Sequence, residues 1–251
     1  MASELEYKIV KPNSSIAGYV ESFWKLKTPS GEPKNIIVLP DGRIDVIFSF
    51  SDTQPFRAVL LGLETEASQT SMEPTRTMFA VSLRLLAVEY LLEDSVSSLL
   101  NDGRLLPEGF WGITKEDLSD FDSFCDKITR KIQSLIKTPP DNRKLRLFDQ
   151  IYASNGRLTV KELSETAGWS SRQINRYFSQ QFGLPLKTYC SILRFRASFE
   201  HLKEGKLFPE QDFADQAHFI RDVKKFSGVP PKELAQNKND RFIQFSTMNK
   251  K

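Results

Sequence analysis

The sequence contains little cysteine and histidine, with two residues of each among 251. Cys125 and Cys190 form neither a CxxC motif nor an even framework, so we expect reduced thiols in a cytoplasmic protein. No cysteine or carboxylate stands at ligand spacing from His201 or His218, which argues against a zinc site. We therefore expect neither a metal nor a cofactor.

Long apolar runs and catalytic motifs are also missing. No run approaches the roughly 18–20 residues of a membrane span, and the first residues, "MASELEYKIV", lack the apolar core of a signal peptide. The chain has no GxGxxG or Walker loop, no GxSxG, and no carboxylate pair beside a histidine. The sequence thus predicts a soluble protein that is not an enzyme and has no membrane partner.

The charge is divided unequally along the chain. Residues 1–140 hold 15 Lys and Arg against 20 Asp and Glu, whereas residues 141–251 hold 20 against 12. A basic segment joined to an acidic one suggests a module for polyanions attached to something else.

The composition changes near "KTPPDNRK", residues 137–144, where two prolines end a helical pattern. We predict two domains, 1–138 and 139–251. The first is expected to be α+β, with a β core and a helical extension, and the second all-α. Strands are predicted at short β-branched and aromatic runs, namely "YVESFWKLK", "NIIVLP", "IDVIFSF", "AVLLGLE" and "TMFAVSLRL".

Two finer features are predicted in the first domain. Asp41-Gly42 indicates a tight hairpin between the strands on either side, because glycine can take a positive φ. A helix within 116–137 is predicted by one apolar stripe: Leu118, Phe121, Phe124, Ile128, Ile132, Leu135 and Ile136. This helix is a candidate dimer surface, although packing against its own sheet explains the stripe equally well.

The second domain is helical and clearly punctuated. Thr159 with Glu162 and Ser170 with Gln173 each form the pattern of a capping box, and Gly183 marks a helix end. A longer helix is predicted over roughly 186–203. Two segments, about 171–182 and 215–226, echo each other at a shift of 45 positions, and each ends in Gly-apolar-Pro. The matched positions are Arg176 and Arg221, Ile174 and Phe219, Phe178 and Val223, Gly183 and Gly228, Leu184 and Val229, and Pro185 and Pro230.

A repeated helix, short turn and helix in a basic segment is the layout of a double helix-turn-helix DNA binder. A helix fits the major groove, where Arg can contact guanine and Asn or Gln can contact adenine. The outward faces supply the base-reading candidates Arg172, Asn175, Arg176, Gln216 and Arg221. The phosphate candidates are Ser170, Ser171, Ser179, Lys187, His218, Lys224 and Lys225.

The segments "LTVKELSETAGWSSRQINRYFSQQFGLPLKTYCSILRFRAS" and "FADQAHFIRDVKKFSGVPPKEL" resemble the DNA-binding domain of the AraC/XylS family of bacterial transcription regulators. The resemblance covers roughly residues 143–236. It implies two helix-turn-helix units joined by a long linker helix, with double-stranded DNA as the partner. The family also suggests three further interactions: contact with RNA polymerase, formation of a homodimer and binding of a small-molecule effector.

The resemblance has one departure. Only "GKLFPEQDFADQ" separates the linker helix from the second recognition helix, which is several residues too few for a full bracing helix. We therefore expect the first unit to discriminate sequence better than the second. The alternative is an effector-binding or protein-interaction module that has only non-specific affinity for DNA.

The N-terminal part looks like the sensor-like domain that a subset of these regulators carries, on stretches such as "VLPDGRIDVIFSF". A role in binding an effector or in dimerisation is an analogy at the level of fold. The ligand-pocket candidates are Trp24, Arg43, Phe48 and Trp111, and for the aromatic residues a place in the core is the competing explanation.

Overall fold

A computed structural model describes residues 5–207 and 215–247. A β-rich N-terminal region is followed by a helical C-terminal region, and the described residues contain nine α-helices. The chain forms two compact units. The first comprises Met1–Lys34, Arg43–Gly62 and Ser71–Asp141, and the second comprises Asn35–Gly42, Leu63–Thr70 and Asn142–Lys251.

The first unit is built on a six-stranded sheet in the order β1-β2-β7-β4-β5-β8. Its neighbouring strands run antiparallel. The strands are β1 Glu6–Val10, β2 Val20–Lys27, β4 Ile44–Phe50, β5 Arg57–Leu61, β7 Thr77–Leu83 and β8 Gly103–Leu105. The predicted strands at β2, β4, β5 and β7 are confirmed, as expected for runs of β-branched and aromatic residues.

One face of this sheet packs against helix α1, Phe121–Leu135. Phe79 lies 5.1 Å from Phe121 and 5.4 Å from Phe124 between ring centroids, both edge to face. Phe48 meets Phe124 in the same way at 5.7 Å, a favoured aromatic geometry. The predicted apolar stripe is confirmed within α1, and it packs on the sheet of its own chain. Asp120 caps the helix by accepting the backbone N–H groups of its first turn.

The predicted hairpin at Asp41-Gly42 is wrong. Gly42 does take a positive φ of 75°, but β3, Lys34–Val38, pairs with β6, Ser68–Met72, in a separate two-stranded sheet, while β4 pairs with β5 and β7. Instead of closing a hairpin, the turn ends a segment, residues 35–42, that packs on helices of the second unit.

Strands β1, β6 and β8 were not predicted. β1 is an edge strand with mostly exposed residues, β6 has the polar sequence SQTSM, and β8 has three residues that begin with glycine. None shows the apolar alternation that identifies a half-buried strand.

The second unit contains the remaining helices. They are α2 Asn142–Ala153, α3 Val160–Ala167, α4 Ser171–Phe182, α5 Leu186–Ala197, α6 Phe199–Lys203, α7 Gln216–Ser227, α8 Pro231–Gln236 and α9 Ile243–Thr247. The single helix expected over roughly 186–203 is thus divided into α5 and α6 at Ser198. The Ser198 hydroxyl donates to the carbonyl of Phe195 at 2.6 Å, and such back-bonding to the helix backbone often bends a helix.

Residues 35–42 form part of the packing of this helical unit. The Tyr189 hydroxyl of α5 donates to the carbonyl of Gly42 at 3.1 Å, and Arg196 donates to the carbonyl of Asp41 at 2.9 Å. Leu39 is buried, and both its backbone N–H and its carbonyl bond to the side chain of Gln244. The segment therefore fixes α5 and the C-terminal α9 from a distant part of the sequence.

Candidate nucleic-acid interface

Helices α3 and α4 are joined by a short turn at Gly168, whose φ of 63° ends α3 in the left-handed conformation. Both predicted capping boxes form. The hydroxyls of Thr159 and Ser170 each accept from the backbone N–H of the residue three positions later. In return, the side-chain oxygens of Glu162 and Gln173 accept from the backbone N–H groups of Thr159 and Ser170. The start of both helices is therefore fixed by residues that lie close together in sequence.

The inner face of α4 consists of Ile174, Phe178 and Phe182, all buried. Phe178 lies 5.9 Å from the ring of Phe148 on α2 and 5.1 Å from Phe182. Basic side chains of α2 cover the edge of this cluster: Arg143 stacks over Trp169 at 5.6 Å and Lys144 over Tyr177 at 5.0 Å. No sequence pattern indicates these two cation–π contacts.

The outer face of α4 presents the first set of base-reading candidates. Arg172 and Arg176 are exposed, whereas Asn175 is half-buried and donates from Nδ2 to the carbonyl of Ser171 at 3.0 Å. Bidentate reading of adenine needs both the amide donor and the amide oxygen of Asn. One of the two Nδ2 hydrogens of Asn175 is thus already used and the side chain is half-buried, so the two exposed arginines are the better placed readers on this helix.

Helix α7 repeats this arrangement. Asp215 caps it by accepting the backbone N–H of His218 at 2.7 Å, while Phe219 and Val223 are buried. Gln216, Arg221, Lys224 and Lys225 are exposed. His218 is half-buried, and its Nε2 lies 3.4 Å from Oδ2 of Asp222 one turn later.

The remaining phosphate candidates lie near the start and along the outer side of α4 and at the start of α5. Ser170, Ser179 and Lys187 are exposed, and Ser171 is half-buried. The Ser170 hydroxyl already accepts from the backbone of Gln173 and donates to its side-chain oxygen. Ser170 therefore serves as a helix cap, while Lys187 and Ser179 keep their side chains toward solvent.

The shortened bracing segment before α7 lies largely outside the described residues. The structure describes the chain to residue 207 and again from residue 215. The expectation of a truncated bracing helix therefore stays a prediction.

The structure does not bring the four ligand-pocket candidates together. Phe48 and Trp24 lie on opposite faces of the sheet, because Phe48 pairs with Phe79 while Trp24 pairs with Ala80, the next residue of β7. The side chain of Arg43 forms an ion pair with Glu21 at 3.1 Å. Trp111 is nearly buried and stacks on Phe110 at 4.9 Å.

Both cysteines are buried, with exposed fractions of 9% for Cys125 and 3% for Cys190. Burial raises the pKa of each thiol to about 12. The described residues contain no cluster of three or more His, Cys, Asp or Glu side chains able to hold a metal ion. Together these features assign the thiols to packing.

Both thiols should resist alkylation in the native protein. At pH 8 a thiol with a pKa near 12 has roughly a thousandth of the thiolate of an ordinary cysteine, and the thiolate is the reactive form. Iodoacetamide labelling followed by mass spectrometry should show slow modification of the native protein and rapid modification in guanidinium chloride. Rapid labelling of either residue in the native state would contradict this assignment.

These features define the class of protein: a β-rich region joined to a helical region that exposes basic helix faces. Among the described residues, no helix has the length and apolarity to cross a membrane.

Residues 8–105 match a family model described as a domain of unknown function (DUF6597). No curated protein matches the chain. Among solved structures, a ToxT variant from Vibrio cholerae strain SCE256 in its apo form is 12% identical, with a TM-score of 0.44 over 90% of this chain and 99% of ToxT. ToxT from Vibrio cholerae O395 is 15% identical, with a TM-score of 0.44 over 85% and 97%. These likenesses are too distant to assign a function to this chain.

Proposed function

We propose that the chain is a sequence-specific DNA-binding transcription regulator of the AraC type. The observation that carries this proposal is the outer face of α4. It exposes Arg172 and Arg176 on a helix whose opposite face is held by buried aromatic residues and whose start is fixed by a capping box. A rigid helix with exposed guanidinium groups near its N-terminal half suits reading of guanine in the major groove.

In this proposal α7 supplies the second recognition helix. Arg221 is its main base-reading candidate, and Lys224 and Lys225 near its C-terminal end contact phosphate. Two such helices about one helical turn of DNA apart, roughly 34 Å, would enter successive major-groove segments. The N-terminal domain, 1–138, binds an effector or mediates dimerisation, and the DNA-binding domain comprises 139–251.

The test is selection of a random duplex pool by the purified chain, followed by sequencing. Two enriched blocks about one turn apart would support base reading by both helices, and a single block would limit it to one of them. The affinity should also fall steeply as salt increases, since each neutralised phosphate releases counterions. A pool without enrichment together with weak affinity for all sequences would favour the alternative, a protein-interaction module with non-specific affinity for DNA.

Replacing Arg176 by Ala should weaken binding to the selected site by about 1–3 kcal/mol and relax the preference at one base pair. Lys224→Ala should weaken all sequences alike and reduce the slope of affinity against salt by about one. Fluorescence anisotropy on matched and mismatched duplexes separates the two effects. Arg104→Ala, which removes the same charge from the first unit, is the control. Uniform weakening by Arg176→Ala would show that Arg176 contacts phosphate.

A further inference from the structure

The first two turns of α2 carry three basic side chains, Arg143, Lys144 and Arg146. Residues 141–148 hold these three and one acidic residue, Asp141, which leaves a net charge of two positive units. The first turn of α2 contains no acidic residue, although the positive end of the helix dipole favours one there. Basic residues three positions apart also repel each other. This concentration of charge is therefore unfavourable for the helix itself and is best balanced by a negatively charged partner.

Arg146 is used within the fold. Its Nη2 donates to the carbonyl of Ala167 at 3.3 Å, and Ala167 is the last residue of α3. A cation at this place stabilises the carbonyls that end a helix. Arg146 therefore holds α2 against the turn between α3 and α4.

The other two basic side chains stack on aromatic rings beside α4. The guanidinium of Arg143 lies 5.6 Å from the centroid of the Trp169 ring, and Nζ of Lys144 lies 5.0 Å from that of Tyr177. The two rings lie 5.2 Å apart, and the Tyr177 ring lies 6.4 Å from that of buried Phe148. Both cations therefore rest on a support that is anchored in the core of the helical unit.

Arg143 is the member of this group that is exposed to solvent. Lys144, Trp169 and Tyr177 are half-buried. Stacking uses the flat face of a guanidinium group, whereas its N–H donors lie in the plane. An arginine held in this way can donate paired hydrogen bonds to a phosphate and loses less side-chain freedom than an unsupported one.

The helical period places this group along one flank of the outer face of α4. Arg172 and Arg176 lie one turn apart on that face, and Tyr177 follows Arg176 by about 100° around the helix. Trp169 directly precedes Ser170, the N-cap residue of α4. The major groove is about 12 Å wide, so a helix in it has a sugar-phosphate backbone on either side. A cation on the flank of α4 therefore meets phosphate rather than base edges.

We propose that Arg143 binds a phosphate of duplex DNA beside α4, while Lys144 adds positive potential and Trp169 and Tyr177 act as positioning residues. These four residues, the α2 clamp, form a third contact element outside both recognition helices. The inference rests on the proposed function and extends its DNA-binding surface to α2. Because the clamp contacts phosphate alone, it fixes the orientation of α4 in the groove and carries no sequence preference.

The test is fluorescence anisotropy of the full chain at several KCl concentrations, with the selected site and with a scrambled duplex. Arg143→Gln should weaken binding to both duplexes about three- to tenfold at about 150 mM salt and lower the slope of log affinity against log salt by about one. The ratio of the two affinities should keep its wild-type value, in contrast to Arg176→Ala. A changed ratio, or a wild-type slope and affinity, would overturn the proposal.

Arg157→Gln is the matched control. Arg157 is exposed and follows the opposite end of α2, and a helix of 12 residues is roughly 18 Å long. The variant loses the same charge from the same helical unit and should retain the wild-type slope. Equal effects of Arg157→Gln and Arg143→Gln would show that total charge, and not the clamp, determines the affinity.

The support of Arg143 by Trp169 is tested with a double-mutant cycle. Trp169→Leu removes the ring and keeps the charge, so it should weaken DNA binding about two- to fivefold in the wild-type background and very little in the Arg143→Gln background. Trp169→Phe keeps an aromatic face and should retain most of the affinity. Far-UV circular dichroism and urea unfolding verify that each variant is folded. Equal losses in both backgrounds would exclude Trp169 as a positioning residue for Arg143.

The clamp and the proposed function can fail separately. A duplex pool without an enriched motif, together with the expected effect of Arg143→Gln on a random duplex, would leave the clamp standing and remove the sequence-specific regulator. An enriched motif together with wild-type salt dependence in Arg143→Gln would do the reverse.

Discussion

Gly156→Ala is expected to destabilise the helical unit by about 2–5 kcal/mol, well beyond Gly168→Ala at about 1–2 kcal/mol. Both glycines have a positive φ, 72° and 63°, so both substitutions incur the cost of about 1–2 kcal/mol for a left-handed L-residue. They differ in their surroundings. A Cβ on Gly156 would lie 2.3 Å from the carbonyl oxygen of Cys190, whereas nothing lies within 4 Å of one on Gly168.

The contact at Gly156 cannot relax easily because the three atoms nearest to the added Cβ are all backbone atoms of Cys190. The Gly156 carbonyl accepts from Arg194 Nη1 at 2.6 Å, and its N–H donates to the carbonyl of Ile151. Overpacking a site of this kind typically costs a further 1–3 kcal/mol or so. Urea unfolding followed by far-UV circular dichroism gives the free energy of unfolding for both variants. Equal losses would show that α5 does not approach this turn as closely as described.

Phe178→Ala is expected to cost about 3–5 kcal/mol, the usual range for truncating a buried phenylalanine. The ring is fully buried, and its centroid lies 5–6 Å from four aromatic rings, those of Phe148, Tyr177, Phe182 and Tyr189. Truncation leaves a cavity where α2, α4 and α5 meet. Phe178 faces away from Arg172 and Arg176. The variant's apparent affinity for DNA should therefore decrease only in proportion to the fraction of protein that is folded.

The measurement pairs urea unfolding with DNA binding for Phe178→Ala and Phe178→Leu. Leucine retains most of the buried volume, so its cost should be clearly smaller. A loss under about 1 kcal/mol for alanine would contradict the packing described for α4. DNA affinity that drops while the protein remains fully folded would place Phe178 in recognition.

The features that could be predicted from the sequence depend on neighbours within a few positions. The capping boxes at Thr159 and Ser170 form because their partners are three residues away. The exposure of Arg172 and Arg176 follows from the helical period, since buried Ile174 and Phe178 fix the inward face of α4. The central strands were predictable because their apolar residues face a core.

The features that could not be predicted depend on distant partners. Gly42 and Tyr189 are 147 positions apart, and Asp41 and Arg196 are 155 apart. The local signal at Asp41-Gly42 was a correct indication of a positive φ and a wrong indication of a hairpin. The bond from Arg76 to Ser49, 27 positions apart, likewise depends on how the strands pair, which no local pattern specifies.

The packing of residues 35–42 on α5 limits which N-terminal parts can be exchanged by recombination at the junction between the two parts of the gene. A single crossover at the proline-rich junction near residue 140 would join a foreign Asp41 and Gly42 to this Arg196 and Tyr189. The same crossover would separate Ile37 from its bridge to Phe242. A hybrid protein would therefore need a matching set of these residues, because the helical part of the chain depends on a short segment that lies about a hundred positions upstream of it.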